Sequence, residues 1–181
     1  SGAMGSAFAV PCVENKNDVT IVGTHLEDNL INDINSNDHL HPGLKTKLPK
    51  EIKFIKFNDL QTTIEKDVDL IVAGISSIGI GWFVKQISKS YKKKLPIALL
   101  TKGLSIVDNE LTTLSDKIKN LLEKDGHSEI NISAIKGPCL AAGLANKMRT
   151  GTVIANRNIK ECQSLKKMIS TNYYSTEISE D

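Results

Sequence analysis

Short runs rich in valine and isoleucine alternate along this chain with longer segments that have helical periodicity. Five of these runs are compact, apolar and bounded by turn residues, at 18 to 23, 52 to 57, 69 to 75, 96 to 103 and 130 to 137. Runs of this kind are typical of buried parallel strands. Helices are predicted at 26 to 35, 79 to 92, 111 to 124, 139 to 148 and 158 to 169. The alternation predicts an α/β fold with a mostly parallel sheet that is covered by helices on both faces.

The helix predicted at 111 to 124 has the clearest amphipathic pattern. Leucine and isoleucine recur there at three- and four-residue spacings, while lysine and aspartate fill the gaps. The positions predicted to face the core are Leu111, Leu114, Ile118, Leu121 and Leu122. By contrast, the segment from 35 to 52 is polar and contains two prolines and a glycine. It is predicted to be a long loop.

The length and the charge balance narrow the possible classes of protein. A chain of 181 residues is long enough for one full domain and too short for two large ones. Lysine and arginine total 23 against 21 acidic residues, and this balance favours neither a nucleic-acid partner nor a membrane partner. The basic run from Lys92 to Lys94 follows a predicted helix and is interpreted as a solvated helix end.

The cysteines and the apolar stretches bear on the cellular compartment. Cys12, Cys139 and Cys162 form no CxxC pair, and their odd number leaves one unpaired in any disulfide scheme. This pattern favours a reducing, cytoplasmic setting. The longest apolar stretches have the length of strands and fall short of the roughly 20 residues that cross a bilayer. The chain is therefore predicted to be soluble.

The chain opens with SGAMGS, in which Gly2 and Gly5 match the second and third glycines of the dinucleotide-binding pattern G-x-G-x-x-G. The same letters also resemble the remnant of a cloning vector, and the pattern alone leaves both interpretations open. An apolar helical pattern continues from Gly5, and the strand at 18 to 23 ends about 20 residues after the loop, where the fold binds ribose. These two features favour a native loop. That interpretation requires that the sequence begins inside the loop and lacks its first strand.

Several motifs occur in one order, namely GAMGSAFAVP, DVTIVGT, HLHPGLKTKLP, DLIVAGISS, LLTKGL and IKGPCLAAGLANKMRTGTVIANR. In order and spacing they resemble the N-terminal domain of soluble NAD(P)-dependent glycerol-3-phosphate dehydrogenase, over essentially the whole chain. The glycine loop is shared with many Rossmann dehydrogenases, but KG after one strand and GP[S]xA after the next are more specific together. The resemblance implies a Rossmann-type, doubly wound domain over 1 to 181, truncated at both ends.

The resemblance also implies an activity. Such an enzyme interconverts dihydroxyacetone phosphate and sn-glycerol 3-phosphate by hydride transfer with NAD or NADP, and it feeds glycerophospholipid synthesis. The full-length enzyme is expected to be cytoplasmic and homodimeric. The lysine that serves as general base lies in a C-terminal helical domain that this sequence does not include. The 181 residues alone are therefore expected to be inactive.

The resemblance assigns the cofactor contacts residue by residue. Gly2, Ala3, Met4 and Gly5 are expected to contact the cofactor phosphates, because a helix N-terminus favours negative charge. Thr24, just after the next strand, matches the adenosine-ribose position. Many NAD-selective Rossmann domains carry an acid there, whereas Thr24 and the residue after it are neutral. The pattern therefore does not select between NAD and NADP.

Lys102 is the residue to which the resemblance assigns contacts with both substrate and cofactor. It follows IALLT at the carboxyl end of a predicted strand, where open α/β sheets bind their ligands. Gly137, Cys139 and Ala141 match the GPSxA positions, which implies cofactor contacts for Gly137 and Ala141 and substrate contacts for Gly137 and Cys139. Cys139 replaces the family's serine with a weaker hydrogen-bond donor. It is therefore interpreted as a pocket-lining residue rather than a nucleophile.

Two further pairs of polar residues attract attention. Ser76 and Ser77 end the predicted strand DLIVAGI in a second ligand-facing position. His39 and His41 are spaced like a metal pair, but no cysteine or carboxylate stands at ligand spacing. They are interpreted as loop histidines, and no metal site is predicted.

Two other functions remain open from the sequence. One is an NADPH reductase resembling ketopantoate reductase, a class that shares the GAMG loop and a lysine after a middle strand. The other is a nucleotide-binding module without enzymatic activity, because a fold alone does not fix a function. The KGPCLAAGLA segment and the HPGLKTKLP loop favour the dehydrogenase.

Overall fold

The computed structural model describes residues 1–66, 68–91 and 95–180. The chain divides into two compact units, of which the first comprises Ser1–Leu60 and Lys136–Asp181 and the second comprises Gln61–Ile135. The basic run from Lys92 to Lys94, interpreted above as a helix end, lies outside the described residues. None of the described helices is long and apolar enough to cross a membrane.

The first part of unit 1 is built around its opening helix. It contains α1 (Ala3–Glu14), β1 (Thr20–Val22), α2 (Asp28–Ser36), β2 (Leu40–His41), β3 (Thr46–Lys47) and β4 (Lys53–Ile55). Every residue of α1 from Ser6 to Cys12 is buried, and the helix continues across Pro11. β1 and β4 pair in parallel, with Ile21 opposite Phe54. Among the described residues they form a two-stranded sheet, and the strand expected ahead of Ser1 stays a prediction.

Unit 2 contains the parallel strands that the sequence predicted most clearly. Its elements are α3 (Leu60–Ile64), β5 (Ile71–Ala73), α4 (Ile80–Ser88), β6 (Ile97–Leu99), β7 (Leu104–Val107), β8 (Glu110–Thr113), α5 (Leu114–Lys124) and β9 (Ile132–Lys136). β6 pairs in parallel with β5 on one side and with β9 on the other. All three residues of β6 are fully buried. This explains why the run PIALL has no polar position.

The chain re-enters unit 1 at Lys136, the last residue of β9. There it forms α6 (Ala141–Ala145), β10 (Thr150–Ala155), α7 (Ile159–Ile169) and β11 (Tyr174–Ser179). β10 and β11 pair in parallel along their whole length, with α7 as the crossover helix between them. The sequence analysis did not predict these two strands. Neither strand is a continuous apolar run, because buried Thr152 and Thr176 occupy inward-facing positions.

The predicted start of the helix at 111 is wrong. Residues 104 to 113 form an antiparallel hairpin of β7 and β8, whose turn residues Asp108 and Asn109 both have positive φ, at 52° and 64°. Positive φ at both central positions is the signature of a type I′ hairpin turn. α5 then begins after Thr113, whose side chain accepts a hydrogen bond from the Asp116 backbone N–H and caps the helix. Leu111, predicted to be buried, is 71% exposed.

The predicted loop at 35 to 52 is more ordered than its polar sequence suggests. β2 and β3 pair within it, with His41 opposite Thr46. Leu44, Leu48 and Ile52 are buried, so that apolar side chains attach this segment to the core of unit 1. These three apolar residues are four positions apart, and the polar residues between them make the segment look like a loop in the sequence.

The corrected helix start can be tested with two leucines of unit 2. Leu122→Ala removes a fully buried side chain from α5, and we expect it to lower the free energy of unfolding by about 2–5 kcal/mol. Leu111→Ala shortens an exposed side chain of β8, and we expect a change below about 0.5 kcal/mol. Urea unfolding followed by circular dichroism measures both. Equal losses in the two variants would show that Leu111 belongs to the buried face after all.

Candidate functional site

The N-terminus of α1 has the backbone groups expected of an anion site. Gly2 is the residue before the helix, in an extended conformation, and no side chain caps this end among the described residues. A Cβ placed on Gly2 would meet no atom within 4 Å, so a ligand can approach the backbone closely. The first N–H groups of a helix have no partner inside the helix. Those of Ala3, Met4 and Gly5 can therefore hold phosphate oxygens.

Two side chains converge on the carbonyl oxygen of Ser1, directly ahead of Gly2. The Ser6 hydroxyl donates to this oxygen over 3.1 Å. The Nε2 atom of His41 lies 3.0 Å from the same oxygen. Ser6 and His41 are both buried. The start of the loop is therefore fixed by one residue of α1 and one residue of the segment at 35 to 52.

An acidic side chain, which the sequence analysis did not single out, lies beside the predicted ribose position. The backbone N–H of Thr24 donates to Oε2 of Glu27 over 2.7 Å, and the Ser1 amino nitrogen is 3.6 Å from the same oxygen. Burial acts to raise the pKa of Glu27, but hydrogen bonding, above all from the Thr24 backbone N–H, acts in the opposite direction and the pKa is lowered. Glu27 is thus a carboxylate at neutral pH. Its place about 20 residues after Gly5 was the signal that could have identified it.

Lys102 follows β6 in unit 2, at the carboxyl end of the strand as predicted. The loop after β6 is tied to the loop after β5, because Leu100 N–H donates to the Ala73 carbonyl over 3.1 Å. The buried Thr101 hydroxyl also donates to the Ile75 carbonyl over 2.6 Å. Gly103 has a φ of +115°, a backbone conformation that residues other than glycine rarely adopt. The KG motif therefore combines an exposed cation with the backbone turn that follows it.

The second predicted ligand position in unit 2 follows β5. Ser76 and Ser77 are both exposed there. They directly follow Ile75, whose carbonyl accepts the hydrogen bond from Thr101. Since β5 and β6 are parallel neighbours, these serines and Lys102 lie on loops at the same edge of the sheet. The arrangement offers two hydroxyl groups and one ammonium group to a polar ligand.

Gly137 has a packing role that the sequence did not reveal. A Cβ there would lie 2.8 Å from the Gly151 carbonyl oxygen and 2.9 Å from Thr152 Cα. The Thr152 hydroxyl also donates to the Lys136 carbonyl over 2.9 Å. The backbone at Gly137 and the start of β10 therefore approach more closely than any side chain allows. Cofactor or substrate contact by Gly137 stays a prediction.

The GPC segment comprises residues 137 to 139, and the part after Gly137 packs within unit 1. Cys139 is 6% exposed, and its thiol is 3.9 Å from the Leu140 carbonyl oxygen, a weak interaction at most. Ala141 begins α6, which packs against α1. Unit 1 therefore brings the GPC segment to the helix that starts at the glycine loop. Lys102 belongs to unit 2.

His39 lies in a turn as predicted, but the prediction of a loop histidine is wrong for His41, which is buried on β2. The ring of His39 packs edge-on against Phe54 at a centroid distance of 5.5 Å, and its Nδ1 lies 3.2 Å from the Pro49 carbonyl oxygen. His41 instead contacts Ser1, as described above. Among the described residues, no group of three or more histidine, cysteine or acidic side chains is arranged to hold a metal ion.

A surface cleft of about 410 Å³ opens within unit 1. Its lining consists of Glu14, Lys147, Arg149, Asn172 and Tyr173. Lys147 forms an ion pair with Glu14 there, and burial is the main cause that raises the pKa of Tyr173. The cleft is at the C-terminal end of α1, opposite the end that begins at Gly2. It includes none of the predicted site residues.

Comparison with known proteins gives consistent results. The family described as NAD-dependent glycerol-3-phosphate dehydrogenase N-terminus matches residues 1–162. An NADP(+)-dependent glycerol-3-phosphate dehydrogenase of Archaeoglobus fulgidus is 30% identical over 181 residues, which is 100% of this chain and 52% of that protein. A glycerol-3-phosphate dehydrogenase [NAD(P)+] of Mesoplasma florum is 29% identical over 96% of this chain and 50% of that protein. The chain thus spans about half the length of these curated relatives.

Solved structures support the same fold. A glycerol-3-phosphate dehydrogenase of Coxiella burnetii matches with a TM-score of 0.81 and 17% identity, over 100% of this chain and 52% of that one. The yeast Saccharomyces cerevisiae enzyme of the same name matches with a TM-score of 0.81 and 22% identity, over 100% and 55%. These likenesses confirm the predicted Rossmann-type fold.

The close packing at Gly137 leads to a stability prediction. We expect Gly137→Ala to lower the free energy of unfolding by about 2 kcal/mol or more, because the added methyl group would overlap backbone atoms of Gly151 and Thr152. Gly143→Ala is the control, since its Cβ would meet only Met148, at 3.9 Å. Within α6 that change should be neutral or stabilising by up to about 1 kcal/mol. Chemical unfolding of both variants gives the comparison, and a fully stable Gly137→Ala would contradict the packing role.

Proposed function

Because this chain belongs to the family of NAD-dependent glycerol-3-phosphate dehydrogenase N-terminal domains, we propose that it is the dinucleotide-binding part of such an enzyme. The whole protein would interconvert dihydroxyacetone phosphate and sn-glycerol 3-phosphate, using NAD or NADP. The uncapped N-terminus of α1, with open space at Gly2, is the observation that carries the proposal. The names of the Archaeoglobus fulgidus and Mesoplasma florum relatives support the reaction.

The residues present fit a dinucleotide. Gly2, Ala3, Met4 and Gly5 would hold the cofactor phosphates through backbone N–H groups, because no described side chain competes for them as a cap. Thr24 and the neighbouring Glu27 would contact the adenosine ribose, whose hydroxyl groups can donate to a carboxylate. When bound, the nicotinamide cofactor supplies or accepts the hydride. The protein supplies position and charge.

Lys102 is proposed to contact both substrate and cofactor. Its ammonium group carries the charge that favours a phosphorylated substrate and stabilises negative charge on a reacting oxygen. Thr101 and Gly103 hold the backbone on either side, by a hydrogen bond to Ile75 and by a positive φ. Gly137 and Ala141 would add cofactor contacts, and Gly137 and Cys139 substrate contacts. For these three residues the support is their place in the GPC segment packed against α1.

The finer points of the proposal rest on the family resemblance. We place the reaction in glycerophospholipid synthesis and the enzyme in the cytoplasm, as a homodimer with small-molecule substrates only. The absence of a CxxC pair agrees with a reducing compartment. The general base is expected outside this chain, in the half of the relatives that the chain does not span.

The direct test is an assay of the complete gene product. We expect dihydroxyacetone phosphate to drive oxidation of NADH or NADPH, and ketopantoate to give no turnover. Turnover of ketopantoate instead would favour the alternative reductase. Dinucleotide binding without turnover of either substrate would favour a nucleotide-binding module. The absence of binding would overturn the proposal.

A lysine substitution tests the role of Lys102 in that assay. We expect Lys102→Ala to lower kcat/KM for dihydroxyacetone phosphate by about 100-fold, the size of effect seen when one electrostatic contact to a reacting oxygen is lost. Lys85→Ala is the matched control, because Lys85 is also an exposed lysine and lies on α4. Thermal unfolding of both variants should match the wild type. A Lys102→Ala enzyme with normal turnover would refute the assignment.

The charge of Glu27 should influence the choice of cofactor. The 2′-phosphate of NADP would lie near this carboxylate, and two unit charges 4 Å apart repel by about 1 kcal/mol in water. We therefore expect Glu27→Gln to raise the affinity for NADPH relative to NADH by about fivefold. Fluorescence titration with both cofactors measures this ratio. Asp28→Asn, which removes the neighbouring exposed charge, should leave the ratio unchanged, and an unchanged ratio in Glu27→Gln would exclude Glu27 from the ribose position.

A further inference from the structure

We propose that His41 is a positioning residue for the cofactor, acting through the peptide group that joins Ser1 to Gly2. This inference rests on the proposed function, because it assumes that α1 receives the dinucleotide phosphates at its N-terminus. His41 is remote from that end in sequence and belongs to the segment predicted as a loop. In the structure its imidazole lies beside the first residue of the glycine loop.

The hydrogen bonds of His41 determine which nitrogen carries the proton. The backbone N–H of Leu44 donates to Nδ1 over 3.2 Å, so that Nδ1 is an acceptor. In the neutral ring the other nitrogen then carries the hydrogen. Nε2 therefore donates to the Ser1 carbonyl oxygen, 3.0 Å away. Both ring nitrogens are used, and the side chain is only 2% exposed.

The Ser1 carbonyl shares its peptide group with the Gly2 N–H, one of the groups proposed above to hold the cofactor phosphates. A peptide unit is planar and trans, so its C=O and its N–H point in opposite directions. Fixing the Ser1 carbonyl oxygen therefore fixes the direction of the Gly2 N–H. The Ser6 hydroxyl donates to the same oxygen over 3.1 Å, and the Ser6 N–H donates to the Gly2 carbonyl over 3.0 Å. His41 supplies the only one of these three contacts that comes from outside the loop and α1.

The surroundings of His41 hold the imidazole in place. His41 lies on β2, opposite Thr46 of β3, and the Leu44 and Leu48 side chains that follow are buried. A Cβ on Gly43 would approach the ring carbon Cε1 to 3.3 Å, so the turn closes tightly over the ring. A ring held in this way can orient a peptide group without losing much freedom on ligand binding. The β2–β3 segment is thus a support for the cofactor loop.

Two amide substitutions separate positioning from general stability. The amide nitrogen of glutamine can take the place of Nε2, whereas that of asparagine reaches only as far as Nδ1. In the complete enzyme we expect His41→Asn to raise the Kd for NADH or NADPH by about tenfold, the size of one lost hydrogen bond. His41→Gln should stay within about threefold of the wild type. Fluorescence titration gives the Kd values, and in steady-state assays the effect should fall on the KM for the cofactor more than on kcat.

A control from the same segment guards against an indirect effect. His39→Asn also removes an imidazole from this segment, but His39 contacts Phe54 and Pro49 rather than Ser1. It should leave the cofactor Kd unchanged. Cofactor Kd values equal to wild type in His41→Asn would overturn the inference, as would equal losses in the Asn and Gln variants. A wild-type enzyme that binds no dinucleotide would instead overturn the proposed function, and the inference with it.

Ser6 provides a second approach to the same oxygen if His41→Asn does not fold. Ser6→Ala deletes the other donor to the Ser1 carbonyl while leaving the imidazole in place. We expect the cofactor Kd to rise severalfold in this variant, because the carbonyl then has a single donor. An unchanged Kd would show that the orientation of this peptide group does not matter for binding, and it would overturn the inference.

Discussion

The burial of α1 is the constraint on which unit 1 depends. All seven residues from Ser6 to Cys12 are buried, and α6, α7 and β1 pack against the helix. Phe8 meets Tyr174 of β11 edge-on at 6.3 Å, and each large apolar side chain buried in this way contributes about 1.5–3 kcal/mol. A helix held on all sides cannot move its N-terminus freely. The N–H groups at that end are therefore pre-organised for an anion, without a ligand having to order them.

The sequence predicted those parts of the fold whose signal is local. The strand at 96 to 103 was evident because β6 is buried on both faces and tolerates no polar residue. The hairpin at 104 to 113 was missed, because its apolar residues are exposed and imitate a helix face that continues into α5. What decides the boundary is the Thr113 cap and the positive φ of the turn before it. Such signals are short and are easily outweighed by a longer periodic pattern.

The residues of the candidate site also differ in whether a local sequence signal points to them. The glycine loop and the Lys102–Gly103 pair were predicted from motifs, and the open space at Gly2 and the positive φ of Gly103 show why these positions favour glycine. His41 was interpreted from the sequence as a loop histidine, because its contact with Ser1, 40 residues away in the chain, has no local signal. For Gly137 the motif implied a ligand contact, whereas the structure shows that packing alone already demands glycine. A motif residue can thus be required for two physical reasons that one sequence does not separate.

The charges around α1 oppose each other in a way that bears on ligand choice. The N-terminus of a helix carries about half a positive charge and attracts phosphate, but the carboxylate of Glu27 lies 3.6 Å from the Ser1 nitrogen, at the same end. The hydrogen bond from the Thr24 N–H keeps Glu27 ionised against the cost of its burial. An anion at the loop is therefore favoured only where the helix field exceeds the repulsion from Glu27. Closer to Glu27 a neutral hydroxyl, which can donate to the carboxylate, is preferred over a second phosphate.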